Sequence, residues 1–324
     1  MKADLSVVIP HHNHAAELPR LLESLRAQEM ENLEVIVVDD LSPTSCEHVI
    51  RDFAARGLNV RLLQSEERVF TKDARLMGVR EAQADIIAFA DCDDEFINPP
   101  SLREHVGRFI AAGADVLHFH TVTLDGAGSY LTNVRLGAPL ADCLNDGEIF
   151  ARFVALDRGY PVWGKLYARE LCLRVASLAW DIPIRRYTED FLLSTLLLFH
   201  ARRYVGGDRT GYRHYYMDKR DIDAAERAAY KYVMLTRVLP HLAANGCPEP
   251  VLRDFARQLR KKLCLSAGRF CKTACANGDF LSEDQLDALL ELADARTWLK
   301  IFALGNGMNA EKLVRMTRTA LDVE

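Results

Sequence analysis

The segment Ile86-Ile87-Ala88-Phe89-Ala90-Asp91-Cys92-Asp93-Asp94 decides the fold: an unbroken apolar run stops abruptly in three carboxylates. Such a run reads as a strand buried on both faces, the habit of parallel sheets. In open α/β folds the carboxyl ends of these strands form the edge where ligands bind. Carboxylates crowded at that edge repel one another unless a cation or a proton lies among them. Hard oxygen ligands suit Mg²⁺ or Mn²⁺, so the segment points to a divalent metal that meets a phosphorylated ligand. The plainer reading is a strand followed by a solvated acidic turn.

The flanking sequence repeats the pattern. Leu5 to Ile9 is a second apolar run, leading into Pro10-His11-His12-Asn13, and Val35 to Val38 is a third, leading into Asp39-Asp40. Val60 to Leu63 reads as a further strand. Between the runs, apolar residues recur at helical spacing: Leu18, Leu21, Leu22 and Leu25, then Cys46, Val49, Ile50 and Phe53 with Gly57 as a stop. Leu102, Val106, Phe109 and Ile110 do the same after Pro99-Pro100, and Thr71-Lys72-Asp73-Ala74-Arg75-Leu76-Met77-Gly78 opens one more helix. This succession of βα units predicts a parallel sheet covered by helices. Polar residues from several strands then converge on one edge, which unrelated acidic turns have no reason to do.

From about Asp115 the pattern changes. Val116 to Val122, Tyr130 to Val134, Arg202 to Val205 and Tyr212 to Tyr216 read as strands, and Gly147 to Leu156 as a helix. Beyond Asp221 the chain reads helical, with breaks at Asn245-Gly246, Asn277-Gly278 and Gly305-Asn306-Gly307. A length of 324 residues allows a large core, and 49% apolar residues with a net charge of −5 argue against disorder and against a general nucleic-acid binder. The opening Met1-Lys2-Ala3-Asp4 runs straight into a strand, so no signal peptide is expected. The densest apolar run, Phe191 to Phe199, falls short of the roughly 18 residues of a membrane span. A cytoplasmic protein, or one peripheral to the inner face of a membrane, is expected. The eight cysteines form no Cys-x-x-Cys pair, and Cys271 and Cys275 read as core or free thiols one helical turn apart.

The chain resembles the family 2 glycosyltransferases of the GT-A fold. Their succession of motifs is matched in order by Val8-Ile9-Pro10-His11-His12-Asn13, Val37-Val38-Asp39-Asp40, Ala74-Arg75-Leu76-Met77-Gly78 and Phe89-Ala90-Asp91-Cys92-Asp93-Asp94, over the first third of the chain. Weaker echoes, Trp163-Gly164-Lys165-Leu166-Tyr167 and Thr188-Glu189-Asp190, are similar to pieces of members that build bacterial surface polysaccharides. The resemblance implies an α/β fold of the GT-A type, with a mostly parallel sheet covered by helices and a C-terminal helical region. Residues 1–120 would be the half that binds a nucleotide sugar, 121–218 the acceptor-binding half and 219–324 the helical region.

It also implies roles. The donor is a nucleoside diphosphate sugar, taken to be UDP-linked. Asp39 accepts the imide N–H of a uracil-type base, His12 stacks on that base in place of the family's Tyr, and Pro10, Asn13 and Cys92 line the nucleotide. Arg75 neutralises phosphate or orients Asp91. Asp91 contacts the ribose or the metal's water shell, and Asp93 binds Mn²⁺ or Mg²⁺. Leu76 replaces the family's usual Asn. The catalytic base of an inverting transfer is Asp190, with Thr188 capping its helix; the plainer reading of these acids is ordinary helix capping. Glu189 binds the acceptor or orients the site, and Trp163 and Lys165 flank donor sugar and acceptor, against the alternative of a packed Trp with a surface Lys.

The acceptor is expected to be a saccharide or a lipid-linked hydroxyl. Leu252, Phe255, Leu259 and Leu263 form an apolar stripe among Arg253, Arg257, Arg260, Lys261, Lys262, Arg269 and Lys272. That pattern suits either contact with anionic lipid or, as the favoured reading, a helix packed on the catalytic domain with a solvated basic face. Two rivals remain: a nucleotidyltransferase, against which the loop Pro10-His11-His12-Asn13-His14 lacks glycines, and a non-catalytic sugar-nucleotide-binding scaffold. An NAD-type oxidoreductase is disfavoured because no Gly-x-Gly-x-x-Gly follows the first strand.

Overall fold

The computed structural model describes residues 3–125, 128–131, 137–179, 182, 188–216, 230–231 and 233–277, with side chains to 263. The chain divides into two compact units, Met1–Asp218 and Lys219–Glu324.

In the first unit, four apolar runs form a parallel block: β1 (Leu5–His11), β2 (Leu33–Asp39), β3 (Val60–Gln64) and β4 (Ile86–Phe89). The core of β1, β2 and β4 is buried on both faces, with Val7, Val8, Val35, Ile36 and Ile87 wholly inaccessible. Register does the functional work. His11 pairs with Asp39 and Val8 with Phe89, so the polar residues that follow each apolar run emerge at one edge. Helices α1 (Leu18–Arg26), α2 (Glu47–Ala55) and α3 (Phe70–Glu81) cover these strands. Helix α3 lies hard against the sheet, because a Cβ on Gly78 would come within 2.4 Å of Val8 Cγ1 and 3.2 Å of Val38 Cγ2. That contact seats the helix and with it Arg75, one turn earlier.

The remaining strands complete one sheet in the order β3-β2-β1-β4-β8-β6-β9-β5, with β5 (Glu95–Phe96), β6 (Val116–Leu124), β8 (Lys165–Ala168) and β9 (Arg203–Tyr215), and with β7 (Cys143–Asn145) paired to β9. Beyond β4 only β6 and β9 run parallel; β8 is antiparallel to both β4 and β6. Helices α4 (Ser101–Ala112), α5 (Gly147–Leu156), α6 (Arg169–Ala179) and α7 (Glu189–His200) flank this part.

The sequence-based expectations need four corrections. Arg202 to Val205 and Tyr212 to Tyr216 are one strand, not two. Gly206 and Gly207 do not turn the chain; a Cβ there would lie 2.2 Å from the Ala141 carbonyl and 3.1 Å from Phe119, so glycine serves a close backbone approach. Tyr130 makes a single bridge to Leu124, and residues 132–134 of that expected strand lie outside the described residues. Ile110 is 63% exposed, not on the buried face of α4. Strands β5, β7 and β8 were not expected, being two to four residues long.

The second unit contains a π-helical turn, Met234–Val238, then α8 (Leu239–Ala244) and α9 (Glu249–Asn277). Gly246 breaks the chain between α8 and α9 with φ +84°. Phe255, Leu259 and Leu263 of α9 are buried, and α9 packs on α8 and the π turn. Three of the four members of the apolar stripe are therefore covered, and Leu252 is partly exposed. Side chains of Arg269, Cys271, Lys272 and Cys275, and the breaks expected at 277–278 and 305–307, lie outside the described residues. No helix among the described residues is long and apolar enough to cross a membrane.

Candidate active site

At the edge made by β1 and β2, two loops are laced together. The backbone N–H of Asp40 donates to the His11 carbonyl (2.8 Å), that of Asn13 to Ser42 Oγ (2.9 Å), and His12 Nδ1 to the Asp40 carbonyl (2.8 Å). Asn13 and Leu41 hold left-handed backbones, φ +60° and +54°, as the tight loops require. Asp39 is fixed through one oxygen. Its Oδ1 accepts from His11 Nδ1 (3.1 Å), from the Ser42 backbone N–H (3.3 Å) and from the Ser42 hydroxyl. Oδ2 accepts no hydrogen bond among the described residues. Burial alone would raise the Asp39 carboxyl, but the bonds from Ser42 and His11 outweigh it and hold it below its ordinary value. Burial lowers the His11 pKa, so a neutral imidazole donates to an ionised carboxylate. Asp39 thus keeps one acceptor oxygen unclaimed among the described residues.

The acidic run after β4 sorts into different environments. Asp94 is wholly buried and saturated: its carboxylate accepts from the Tyr212 hydroxyl (2.8 Å), His214 Nδ1 (3.1 Å) and the Tyr215 backbone N–H (2.9 Å). Burial pushes it up to about 6 despite the imidazole. The Cys92 thiol turns inward and donates to the Pro10 carbonyl (3.1 Å). The Asp93 carbonyl accepts from Arg20. Asp91 and Asp93 keep partial exposure at the edge.

Arg75 ties this edge to the start of α7. Its guanidinium, 1% exposed, donates through Nη2 to Asp91 Oδ1 (2.6 Å) and through Nη1 to Asp190 Oδ1 (2.5 Å), with Glu189 Oε1 3.5 Å from Nη1. The resemblance implied that Arg75 neutralises phosphate or orients Asp91; its bond to Asp91 fits the second, and the link to Asp190 was not anticipated. Burial raises the Asp190 carboxyl and Arg75 opposes it, with a net rise. Glu189 is pushed up to about 7 by burial and by Asp190. Thr188 occupies the N-cap position of α7, but its hydroxyl makes no capping bond.

Comparison with known proteins identifies this frame. Residues 6–135 match the family model for glycosyl transferase family 2. This stretch belongs to that family. The succinoglycan biosynthesis protein ExoO of Rhizobium meliloti is 34% identical over 125 residues, 38% of this chain and 35% of its own length. Matches cover 30% to 60% of the lengths of the first curated relatives. Among solved structures, residues 1–349 of S. aureus TarS in complex with UDP-GlcNAc align with a TM-score of 0.58 at 17% identity, covering 98% of this chain and 84% of that one. The Pyrobaculum calidifontis mannosyltransferase PcManGT, in complex with GDP-Man and Mn²⁺, aligns with a TM-score of 0.51 at 17% identity, covering 100% and 89%. The fold is GT-A.

Trp163 and Lys165, expected beside donor sugar and acceptor, are both buried. Trp163 is 3% exposed and stacks between Tyr212 (centroids 5.5 Å) and His214 (4.7 Å). Lys165 is 1% exposed, donates its ammonium to the Pro161 carbonyl, and is brought down to about 7 by burial. Residues given no role in the sequence reading also build the site: Ser42 and His11 orient Asp39, and Tyr212, beyond its bond to Asp94, accepts from the Asp91 backbone N–H (3.1 Å). No sequence signal separates Ser42 from any turn serine.

The carboxylates that follow β4 have the chemistry of a divalent-cation site. Asp91 and Asp93 offer hard oxygens at an open edge, and Mg²⁺ or Mn²⁺ takes one or two carboxylates with phosphate oxygens completing the shell. Among the described residues, the one tight cluster of potential ligands is instead His11, Asp39 and Cys46. Direct His11–Asp39 hydrogen bonding accounts for two of its members, and burial beside Asp39 keeps the third a thiol, pushed up to about 11.

Proposed function

We propose that the protein is an inverting glycosyltransferase that moves a sugar from a UDP-linked donor to a hydroxyl on a saccharide or lipid-linked acceptor, in bacterial surface polysaccharide synthesis. The observation that carries this reading is Arg75, which joins Asp91 at the donor edge to Asp190. One guanidinium sets the distance between the donor-side carboxylate and the base. The family, and the UDP-GlcNAc and GDP-Man held by structural neighbours, support a nucleotide-sugar donor. The relative named for succinoglycan biosynthesis supports the pathway class.

In this reading Asp39 Oδ2 accepts the N–H of the base and His12 lies against its face. Asp190 Oδ1 stays with Arg75, while Oδ2, which accepts no bond among the described residues, takes the proton of the acceptor hydroxyl. The acceptor oxygen bonds to the anomeric carbon as the bond to the diphosphate breaks, with inversion. Burial places Asp190 nearer neutrality than a surface carboxylate, which suits a general base. Asp93 and Asp91 would hold Mn²⁺ or Mg²⁺, which supplies Lewis-acid neutralisation of the departing diphosphate.

The test is release of UDP from UDP-sugars in the presence of candidate acceptors, with Mn²⁺, Mg²⁺ or EDTA. Acceptor-dependent, metal-dependent release supports the reading. Tight UDP binding without transfer to any acceptor supports the scaffold instead, and pyrophosphate release from a nucleoside triphosphate supports a nucleotidyltransferase.

A further inference from the structure

Lys72 is a buried cation to which the mechanism above gives no part. It is 1% exposed, like Arg75 three residues further along α3, and that spacing puts both cations on one face of the helix. Its ammonium donates to the carbonyls of Ala179 (2.7 Å) and Ile182 (2.7 Å), and Asp73 Oδ1 lies 3.1 Å from it. Ala179 is the last residue of α6, and the Ile182 backbone N–H donates to the same Ala179 carbonyl (3.2 Å). Lys72 therefore fastens the turn on which α6 ends. The final carbonyls of a helix have no partner within it, and the negative end of its dipole favours a cation.

One face of α3 thus grips two helices. Through Lys72 it holds the end of α6; one turn later, through Arg75, it holds Asp190 (2.5 Å) at the start of α7, with Glu189 3.5 Å away. Helix α6 packs against α7, and both pack against α3. Asp190 is placed from two sides, directly by Arg75 and, through α6, by Lys72. Desolvation offsets much of what a buried ammonium gains from its bonds, so stability alone is a weak reason for one here. None of these contacts of Lys72 is with a residue assigned to the nucleotide or the metal.

We propose that Lys72 is a positioning residue, which locks the end of α6 to α3 and so keeps α7 where Asp190 reaches the acceptor hydroxyl; this rests on the reading above that Asp190 is the base. The experiment uses the full chain, Lys72→Met, Asp190→Asn and the double variant. It measures UDP release from UDP-GlcNAc, UDP-glucose and UDP-galactose with Mn²⁺ and saccharide or lipid-linked saccharide acceptors, together with UDP binding and thermal unfolding. Lys72→Met is expected to lower kcat about 10–100-fold, because a small misplacement of a catalytic group is enough for that, while UDP affinity stays within about threefold. In the Asp190→Asn background the same substitution is expected to cost about threefold or less, since a displaced base matters only while the base is present. An equal loss in both backgrounds marks a merely structural role and overturns the inference, as does an unchanged kcat or a matching loss of UDP affinity. If Lys72→Met does not fold, Lys72→Gln keeps a neutral donor for the α6 carbonyls, with the same pattern expected at about threefold or more and the same results overturning it. If Asp190→Asn is inactive while the folded Lys72 variants turn over normally, the Lys72 role alone fails. If Asp190→Asn turns over normally, or the unaltered protein releases no UDP from any of these donors, the parent reading fails with it.

Discussion

The two sides of the sheet handle polar residues in opposite ways. At the edge formed by the ends of β1–β4 and the start of α7, charged groups are half-satisfied: Asp39 is anchored through Oδ1 and Asp190 through its own Oδ1, each with the second oxygen unclaimed among the described residues. On the β8–β9 side, Trp163, Lys165, Asp94 and Tyr212 are buried and matched to one another or to backbone. Under the proposed function, the one-sided groups are those that would meet a ligand and the completed networks those that hold the edge still, since a buried polar group left unpaired is costly.

The largest effect that could break this contrast is at Asp190. Asp190→Asn is expected to lower acceptor-dependent UDP release by about 10²–10⁴-fold while nucleotide affinity stays within a few-fold; undiminished turnover would remove it as the base. On the opposite side, Trp163→Ala is expected to cost about 3–5 kcal/mol of stability, read by denaturant unfolding, because a large buried ring is lost between two others. A Trp163→Ala protein of normal stability with ruined sugar affinity would place this ring among the ligand contacts after all. Asp39→Asn should weaken UDP binding by about 1–3 kcal/mol, since a charge-assisted acceptor is replaced by a neutral one. Titration calorimetry measures it.

The smallest effect is in pH dependence. The Glu189 carboxyl is raised in the folded protein from 4.5 to about 7, so between those values the folded state holds a proton that the unfolded chain has lost. Stability contributed by this group therefore falls as pH climbs through that window. Glu189→Gln is expected to flatten the slope and to gain about 1 kcal/mol or more above neutrality, given that each unit of displaced titration is worth roughly that much. Parallel stability profiles for both proteins from pH 5 to pH 8 would count against it.

The donor edge was legible because its strands are unbroken apolar runs, and the residues after each run must emerge where the register delivers them. Asp39-Asp40 and Asp91-Cys92-Asp93-Asp94 follow from that rule, and the family resemblance singled out Asp39, Asp91 and Asp93 among them. Trp163 was not legible in the same way: the rings that enclose it, Tyr212 and His214, lie some fifty residues further along, and nothing local marks their approach. The bond from Arg75 to Asp190 spans a sequence separation of 115, and reading it required the helix to be seated first. Strand β9 was read as two because the polar and glycine residues 206–211 interrupt the apolar and aromatic residues at its ends.

Gly78 gives the seating of α3 a reach beyond the core. Adding one methyl group there would meet Val8 and Val38, and the helix could respond only by lifting away from the strands. Arg75 rides on the preceding turn, so a displacement of tenths of an ångström in the hydrophobic interior would be transmitted to the spacing between two carboxylates that the substitution never touches. Turnover would then be sensitive to a residue with no polar atom in its side chain.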